Sequence, residues 1–343
     1  MFYKVLVRPW LFRADPEAAH ERALDLVASL GRCRIARDAV ESVFMVEDRR
    51  LRQSVFGIEF LNPVGLGAGY DKNALGLELW PALGFGFVEI GSVTLHSQPG
   101  TEPPRLFRQV DQCSLINRMG FNNDGADAIA ARIPPTPHRI PIGVNIGKNR
   151  EVDLTRAGES YAATLHKLHD RADFFIINVS SPNTPGLRKL QDKEMLDTLL
   201  SQLHEQVPIL LKIAPDLTFD QIDDVITLVQ KHGIAGIVAT NTTIDHPTPP
   251  EGGLSGTPLR ARATECVRHV SRQTQGNLPI IGVGGVFTAE DAYEKIRAGA
   301  SLIEVWTGLI YEGPAIVRNI NRGLLRLLAR DGFGSIAEAV GTE

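Results

Sequence analysis

From Val64 onward the chain repeats one pattern eight times: a short, almost continuously apolar run, followed in most repeats by an amphipathic helical stretch. The runs are VGLGAG (64–69), FGFVEIGSV (85–93), PIGVNIG (141–147), DFFIINVS (173–180), PILLKIA (208–214), GIVATNTT (236–243), PIIGVGG (279–285) and LIEVWTG (302–308). A strand that is apolar along its whole length has both faces covered, the situation of parallel strands flanked by helices. Helix starts fit this reading. Asp192, Thr218 and Thr288 each place an N-cap residue ahead of acidic first-turn residues, and Gly233 and Gly299 stand where helices would stop. Eight β-α units in about 250 residues predict an α/β chain folded as a (β/α)8 TIM barrel. The alternative is an open, Rossmann-like sheet with two extra strands, but no G-x-G-x-x-G turn follows an early strand.

Residues 1–50 fall outside this rhythm and are predicted as a small N-terminal helical module ahead of a barrel domain at 51–343. Asp15 can cap a helix with Pro16 in its first position, which puts Ala19, Ala23, Leu24, Val27 and Leu30 on one face. A second stretch around ARDAVESVFMV stacks Ile35, Ala39, Val43 and Phe44 at helical spacing. The chain start mixes Phe2, Tyr3, Trp10 and Phe12 with Lys4, Arg8 and Arg13. Such helices can pack on the barrel or dip into a membrane surface, and composition leaves both open. SVFGIEFLNP (54–63) alternates like a short strand that plugs or rims the barrel.

No run of about 18 apolar residues is present to span a membrane. The start also lacks the long apolar stretch and small-residue cleavage site of a secretory signal. Lys plus Arg against Asp plus Glu is 36 to 40, a net charge of −4 that gives no reason to expect a nucleic-acid partner. Cys33, Cys113 and Cys266 are odd in number and far apart, so they form neither a disulfide framework nor a zinc-ligand spacing, which favours a reducing compartment.

In a TIM barrel the chemistry sits at the carboxyl ends of the strands, and the polar residues of this chain collect there. The first run leads into Gly69-Tyr70-Asp71-Lys72-Asn73 and the second into Gly91-Ser92-Val93-Thr94. The third carries Asn145, the fourth Asn178 and then Ser180-Ser181-Pro182-Asn183-Thr184, the fifth Lys212, and the sixth Thr240-Asn241-Thr242-Thr243. One such buried group would be satisfied by an internal hydrogen bond; six strand ends together are more economically explained by a polar ligand. The last two runs end in Gly282-Val283-Gly284-Gly285 and Trp306-Thr307-Gly308, where glycines let backbone N–H groups approach a phosphate. Lys212, pointing inward, would then face the electron-rich ring of a flavin. The amides of Asn117, Asn178, Asn183 and Asn241 suit the alternating donors and acceptors of a pyrimidine-like ring, with Lys72 answering a carboxylate. No Ser-His-Asp order marks Ser181 as a hydrolase nucleophile, and His96, His138, His166, His169 and His204 receive no role. Other readings of the same barrel are a Schiff-base aldolase working through Lys212 and a non-catalytic membrane-surface binding protein, which leaves the polar strand ends unexplained.

The segments NVSSPNTPGLRKLQ (178–191), NRMGFNN (117–123), AGYDKN (68–73), TNTT (240–243), GGLSG (252–256) and IGVGG (281–285) resemble the dihydroorotate dehydrogenases, along essentially the whole chain. The first two are highly specific, whereas IGVGG alone is not. The resemblance implies a barrel carrying one FMN that oxidises dihydroorotate to orotate in pyrimidine (UMP) synthesis. Ser181 stands at the catalytic-base position, where class 1 members have cysteine, and Cys113 reads as a packing residue. DPEAAHERAL resembles the helical module of class 2 members, which docks on the membrane surface and admits a quinone; a class 1 enzyme using fumarate or NAD is the rival within the family.

Carried over, the resemblance implies FMN contacts at Ala68, Gly69, Tyr70, Asp71, Lys72, Ser92, Asn145, Asn178, Lys212, Thr240, Gly256, Gly285, Trp306 and Thr307. Substrate contacts would be Lys72, Asn117, Arg118, Met119, Gly120, Phe121, Asn178, Asn183, Asn241 and Thr242, and the quinone pocket would include His20 and Arg108. It implies no metal. Ser92 stands where many relatives have Thr, and Trp306 where Tyr is usual; Thr184, Phe121 and a water would help relay the proton from Ser181. The implied setting is the cytoplasmic side of a bacterial inner membrane, as a peripheral monomer.

Overall fold

In the computed structural model, which describes residues 3–343 and so leaves Phe2 of the aromatic start outside it, every one of the eight apolar runs supplies a barrel strand. The chain enters through an antiparallel hairpin, β1 (Gln53–Val55) and β2 (Ile58–Phe60), and lays down β3 (Val64–Leu66) and β4 (Phe87–Val93). An excursion follows as β5 (Leu106–Gln109) and β6 (Ser114–Asn117). The barrel resumes with β7 (Ile142–Ile146), β8 (Phe174–Asn178), β9 (Ile209–Ile213) and β10 (Gly236–Ala239). A second excursion, β11 (Gly253–Gly256), pairs with β6 in a three-stranded side sheet. β12 (Ile280–Val283) and β13 (Leu302–Val305) then close the circle of parallel strands, β13 pairing with β3.

Alternation along each strand sorts side chains between two compartments. On β8, Phe175 and Ile177 pack outward under the helices, while Phe174 and Ile176 face into the barrel. Phe87, Leu210, Val238, Ile281 and Leu302 join them in an interior apolar layer at the amino-terminal end. Bulky rings fit there because neighbouring strands carry glycine at the same height: a Cβ on Gly65 would collide with the Phe87 ring, and one on Gly143 with the Phe174 ring. The 54–63 segment is a hairpin rather than one strand, and its Val55 and Phe60 plug this end.

The helix ends follow local chemistry. Thr218 and Gln221 form a reciprocal capping box, as do Thr288 and Asp291. Asp192 holds the N-cap position, but its side chain makes no capping bond; its carbonyl accepts from the Leu196 N–H at 2.8 Å.

The N-terminal segment is helical, as α1 (Arg8–Leu11), α2 (Pro16–Arg32) and α3 (Arg34–Phe44). Asp15 caps α2, accepting from the Glu17 and Ala18 N–H groups at 3.0 Å. Ala19 and Leu24 are buried, and Val27, Leu30, Val40 and Phe44 pack on the core. The face expected on α3 is divided: Phe44 turns inward, whereas Ile35 is 82% and Val43 50% exposed. Val5, Leu6, Trp10 and Leu26 are exposed as well, so this segment carries an apolar surface with no protein partner among the described residues. Among the described residues no helix is long and apolar enough to cross a membrane.

Phe60 is 1% exposed at the centre of the plug. Replacing it with alanine should cost about 3–5 kcal/mol, read as a lowered midpoint in urea; an unchanged midpoint would show that the hairpin contributes nothing to the barrel core.

Candidate active site

Two residues further along the strands than the interior apolar layer, the inward positions change character. Glu89 on β4, Lys212 on β9 and Glu304 on β13 are all buried. Lys212 Nζ donates to both Glu89 oxygens, at 3.1 and 3.0 Å, and lies 3.6 Å from Glu304 Oε2. Burial opposes the Lys212 charge, but Glu89 and then Glu304 outweigh it and hold its pKa above the ordinary value. Burial, followed by the charge of Glu89, pushes the Glu304 carboxyl well above the usual carboxylate range. Burial also works to raise Glu89, yet the Lys212 charge prevails and keeps it below its ordinary value.

An amide network rises from this floor. Asn145 Nδ2 donates to Glu89 Oε1 at 2.5 Å, and the Ser92 hydroxyl donates to Asn145 Oδ1. Asn178 Nδ2 reaches Ser92 Oγ at 3.0 Å and Asn145 Oδ1 at 3.2 Å. Asn241 Nδ2 donates to Ser180 Oγ at 3.0 Å and to Asn178 Oδ1 at 3.3 Å. Asn183 Nδ2 donates to Asn117 Oδ1 at 2.9 Å, and Asn117 donates to the Gly253 carbonyl. Four barrel strands and both excursions therefore orient one set of amides.

Ser92, Asn117, Asn178, Asn183, Lys212, Asn241 and Glu304 of this set line a cleft of about 1180 Å3, counting its open mouth. It collects Ala68, Gly69, Lys72, Ser92, Asn117, Met119, Gly120, Phe121, Asn178, Ser181, Asn183, Lys212, Thr240, Asn241, Thr242, Gly256, Gly285, Trp306, Thr307 and His20. Lys72 is pushed down to about 8, mainly by burial, although Glu17 works to raise it. Ser181 sits in the loop after β8, where its Oγ accepts from the Asn183 N–H at 3.3 Å. Arg188 secures this loop by donating to the Ser180 carbonyl at 2.9 Å, Asp216 at 2.6 Å and the Thr242 carbonyl at 2.8 Å.

Opposite the amides, Gly284 (φ +111°) and Gly285 (φ +73°) turn the chain after β12 through a left-handed conformation that suits glycine. The N–H groups of Gly284, Gly285, Thr307 and Gly308 find no acceptor among the described residues. Free backbone donors beside a helix start fit a phosphate, and the adjoining floor and amides fit a polar ring, so the donor set suits a phosphate-bearing flavin. No group of three His, Cys, Asp or Glu side chains placed to hold a metal occurs among the described residues.

Other residues singled out from the sequence stand outside the cleft wall. Asn145 is fully buried beneath Ser92 and Asn178. Asp71 accepts from the Leu75 and Gly76 N–H groups and from Trp80 Nε1, so it orders the turn after β3. Tyr70 packs edge-on against Trp80, Trp306 and His20. Arg118 turns away to the Pro104 carbonyl and stacks over Phe107. Arg108 donates to the Ala14 carbonyl at 2.7 Å and lies over the Phe12 ring, holding the α1–α2 turn rather than lining the cleft. His20 does line it, with its ring 4.8 Å from that of Tyr70 and 6.4 Å from that of Trp306. Burial, aided by Lys72, lowers His20 to about 3, and its Nδ1 has no partner.

Sequence reading passed over Glu89 and Glu304. Their signal was a single acidic residue inside an otherwise apolar strand, FVEIG and LIEVW. Ser255, Leu259 and Val286 also line the cleft and carried no such mark.

A family model described as dihydroorotate dehydrogenase matches residues 50–328. The dihydroorotate dehydrogenase (quinone) of Gloeobacter violaceus is 49% identical, the alignment covering 98% of each chain. That of Thermosynechococcus vestitus is 48% identical over 94% of this chain and 96% of its own. The ligand-free DHODH of Eimeria tenella superposes with a TM-score of 0.87 at 34% identity, over 96% of this chain and 99% of that one. With the family model spanning residues 50–328 and identity near one half along its length, the chain belongs to the dihydroorotate dehydrogenase family.

Proposed function

We propose that this protein is a quinone-dependent dihydroorotate dehydrogenase, oxidising dihydroorotate to orotate in pyrimidine synthesis on one FMN held in the cleft. The observation that carries the reading is the convergence of Ser181, Lys72 and the amides of Asn117, Asn178, Asn183 and Asn241 on one cleft. Its opposite wall offers the unused N–H groups of Gly284, Gly285, Thr307 and Gly308 for the FMN phosphate.

FMN, when bound, supplies the acceptor for the substrate hydride. The chain does the rest. The amides pair with the ring edges of dihydroorotate, Lys72 answers its carboxylate, and together they hold the molecule in one orientation, which lowers the entropic part of the barrier. Ser181 Oγ takes the C5 proton. Serine is a weak base and no imidazole hydrogen-bonds to this one. Thr184, whose buried Oγ1 has no partner, is the nearby hydroxyl for a proton relay through a water, and Phe121, which lines the same cleft, can shape that path without carrying the proton. For Tyr70, Asp71, Asn145 and Arg118 the role is to support the wall rather than to form it.

The electrons leave to a membrane quinone that enters beneath α2, from which His20 lines the cleft; Leu106 and Leu115 are apolar residues of the same lining. His20, kept uncharged by burial, presents a neutral ring there, and Arg108 fixes the turn that frames the entrance. The module at residues 1–50 supplies the membrane contact through exposed Val5, Leu6, Trp10, Leu26, Ile35 and Val43. The protein would then be a monomer seated peripherally on the cytoplasmic face of the inner membrane.

Ser181→Ala should leave the protein yellow and able to bind orotate while turnover falls by about 10²–10⁴; undiminished turnover removes Ser181 from the chemistry. His20→Trp, which fills the apolar entrance, should abolish quinone reduction while dihydroorotate still bleaches the flavin anaerobically. Equal loss of both half-reactions would place the quinone elsewhere. Ile35→Glu forfeits about 1.5–3 kcal/mol of apolar burial on docking, so binding to lipid vesicles should weaken by about tenfold or more; unchanged cosedimentation rules out α3 as the contact.

A further inference from the structure

The floor of the cleft holds two carboxyl groups and one ammonium, and the carboxyls are not equivalent. Glu89 takes both donated bonds of Lys212 and a third from Asn145. Glu304 takes none: its Oε2 lies 3.6 Å from Lys212 Nζ, beyond hydrogen-bond reach, and neither oxygen has a partner. Both side chains are fully shielded from solvent. A charge in such a place needs donors or a counter-ion, and two carboxylates facing one cation share a proton between them. The carboxyl without donors is the one that keeps it.

We propose that Glu304 retains its proton, so that the floor is one ion pair plus one neutral acid, and that this acid sets the ease with which the flavin of the cleft is reduced. The proposal rests on the flavin reading above. Glu89 and Lys212 are the titratable groups that face Glu304. The adjoining β3 brings Gly65, with Gly67 just past its end, and β12 brings Val283. Gly67 leaves the room that Glu304 occupies, since a Cβ there would stand 3.3 Å from its Oε2. Burial and the charge of Glu89 both act to keep the proton on. Because Glu304 and Lys212 line the cleft, the charge of this floor acts directly on a ring seated there. Reduction adds negative charge to such a ring. A neutral floor opposes that less than a floor carrying a second carboxylate.

The test compares the wild-type holoenzyme with Glu304→Gln, which keeps a neutral donor of the same shape but cannot ionise. In the infrared, the wild-type protein should show a carboxylic-acid C=O band that shifts in D2O and is lost in the variant. Redox titration should give coinciding flavin potentials near neutral pH, with the wild type falling below the variant as alkaline pH removes the Glu304 proton. A variant potential well above wild type at neutral pH, or no band to lose, overturns the neutral acid; parallel potentials through the alkaline range overturn the tuning. Should Glu304→Gln fail to fold, absence of the acid band from wild type overturns the proposal by itself. A colourless wild-type protein overturns the flavin reading instead, and the infrared band still decides the state of Glu304.

Discussion

The interior of a closed parallel barrel is out of reach of water, so each inward side chain must be matched by others at its own height. That constraint organises this molecule. Because inward positions recur every second residue, one step along the strands replaces Phe87, Leu210 and Leu302 with Glu89, Lys212 and Glu304. The aromatic layer and the hairpin plug below make the charged layer possible by closing it from solvent on that side. The Lys212–Glu89 pair in turn supports Asn145, and through it Ser92, Asn178 and Asn241. A buried pair of this kind contributes little net stability; its effect is to hold a set of amides in one orientation at the mouth of the barrel.

The two excursions from the barrel complete the cleft for a related reason. Strand ends alone provide a floor and part of a wall. The β5–β6–β11 sheet brings Asn117 across to Asn183 and supplies Gly256, while Arg188 ties the Ser181 loop to the β9 and β10 ends. Ser181 is thus held by its neighbours in a cleft whose polar groups are already oriented, consistent with a proton-accepting role that depends on positioning more than on intrinsic basicity.

The N-terminal helices do two jobs with two faces. Ala19, Leu24 and Phe44 pack toward the barrel, and the Glu17–Arg105 pair at 2.7 Å and the Tyr3 bond to the Ile310 carbonyl at 2.7 Å fasten the segment down. Trp10, Ile35 and Val43 are left facing outward. Packing on the barrel and offering an apolar surface are compatible here, because each uses a different side of the same short helices. His20 sits at the seam, half-buried and facing the cleft, with its pKa held low by desolvation.

The sequence by itself determined the repeating units, the barrel, the caps at Thr218 and Thr288, and the location of the polar residues at the strand ends. These follow from local periodicity and local hydrogen bonding, which a chain carries in its order of residues. Only the tertiary structure decided which of those residues face one another. It turned Arg108 and Arg118 to backbone carbonyls, placed Tyr70, Asp71 and Asn145 behind the wall, and divided the α3 face between barrel and solvent. It also brought Glu89 and Glu304, 215 residues apart in the chain, to one lysine. Barrel closure sets that meeting, and no window of sequence contains it.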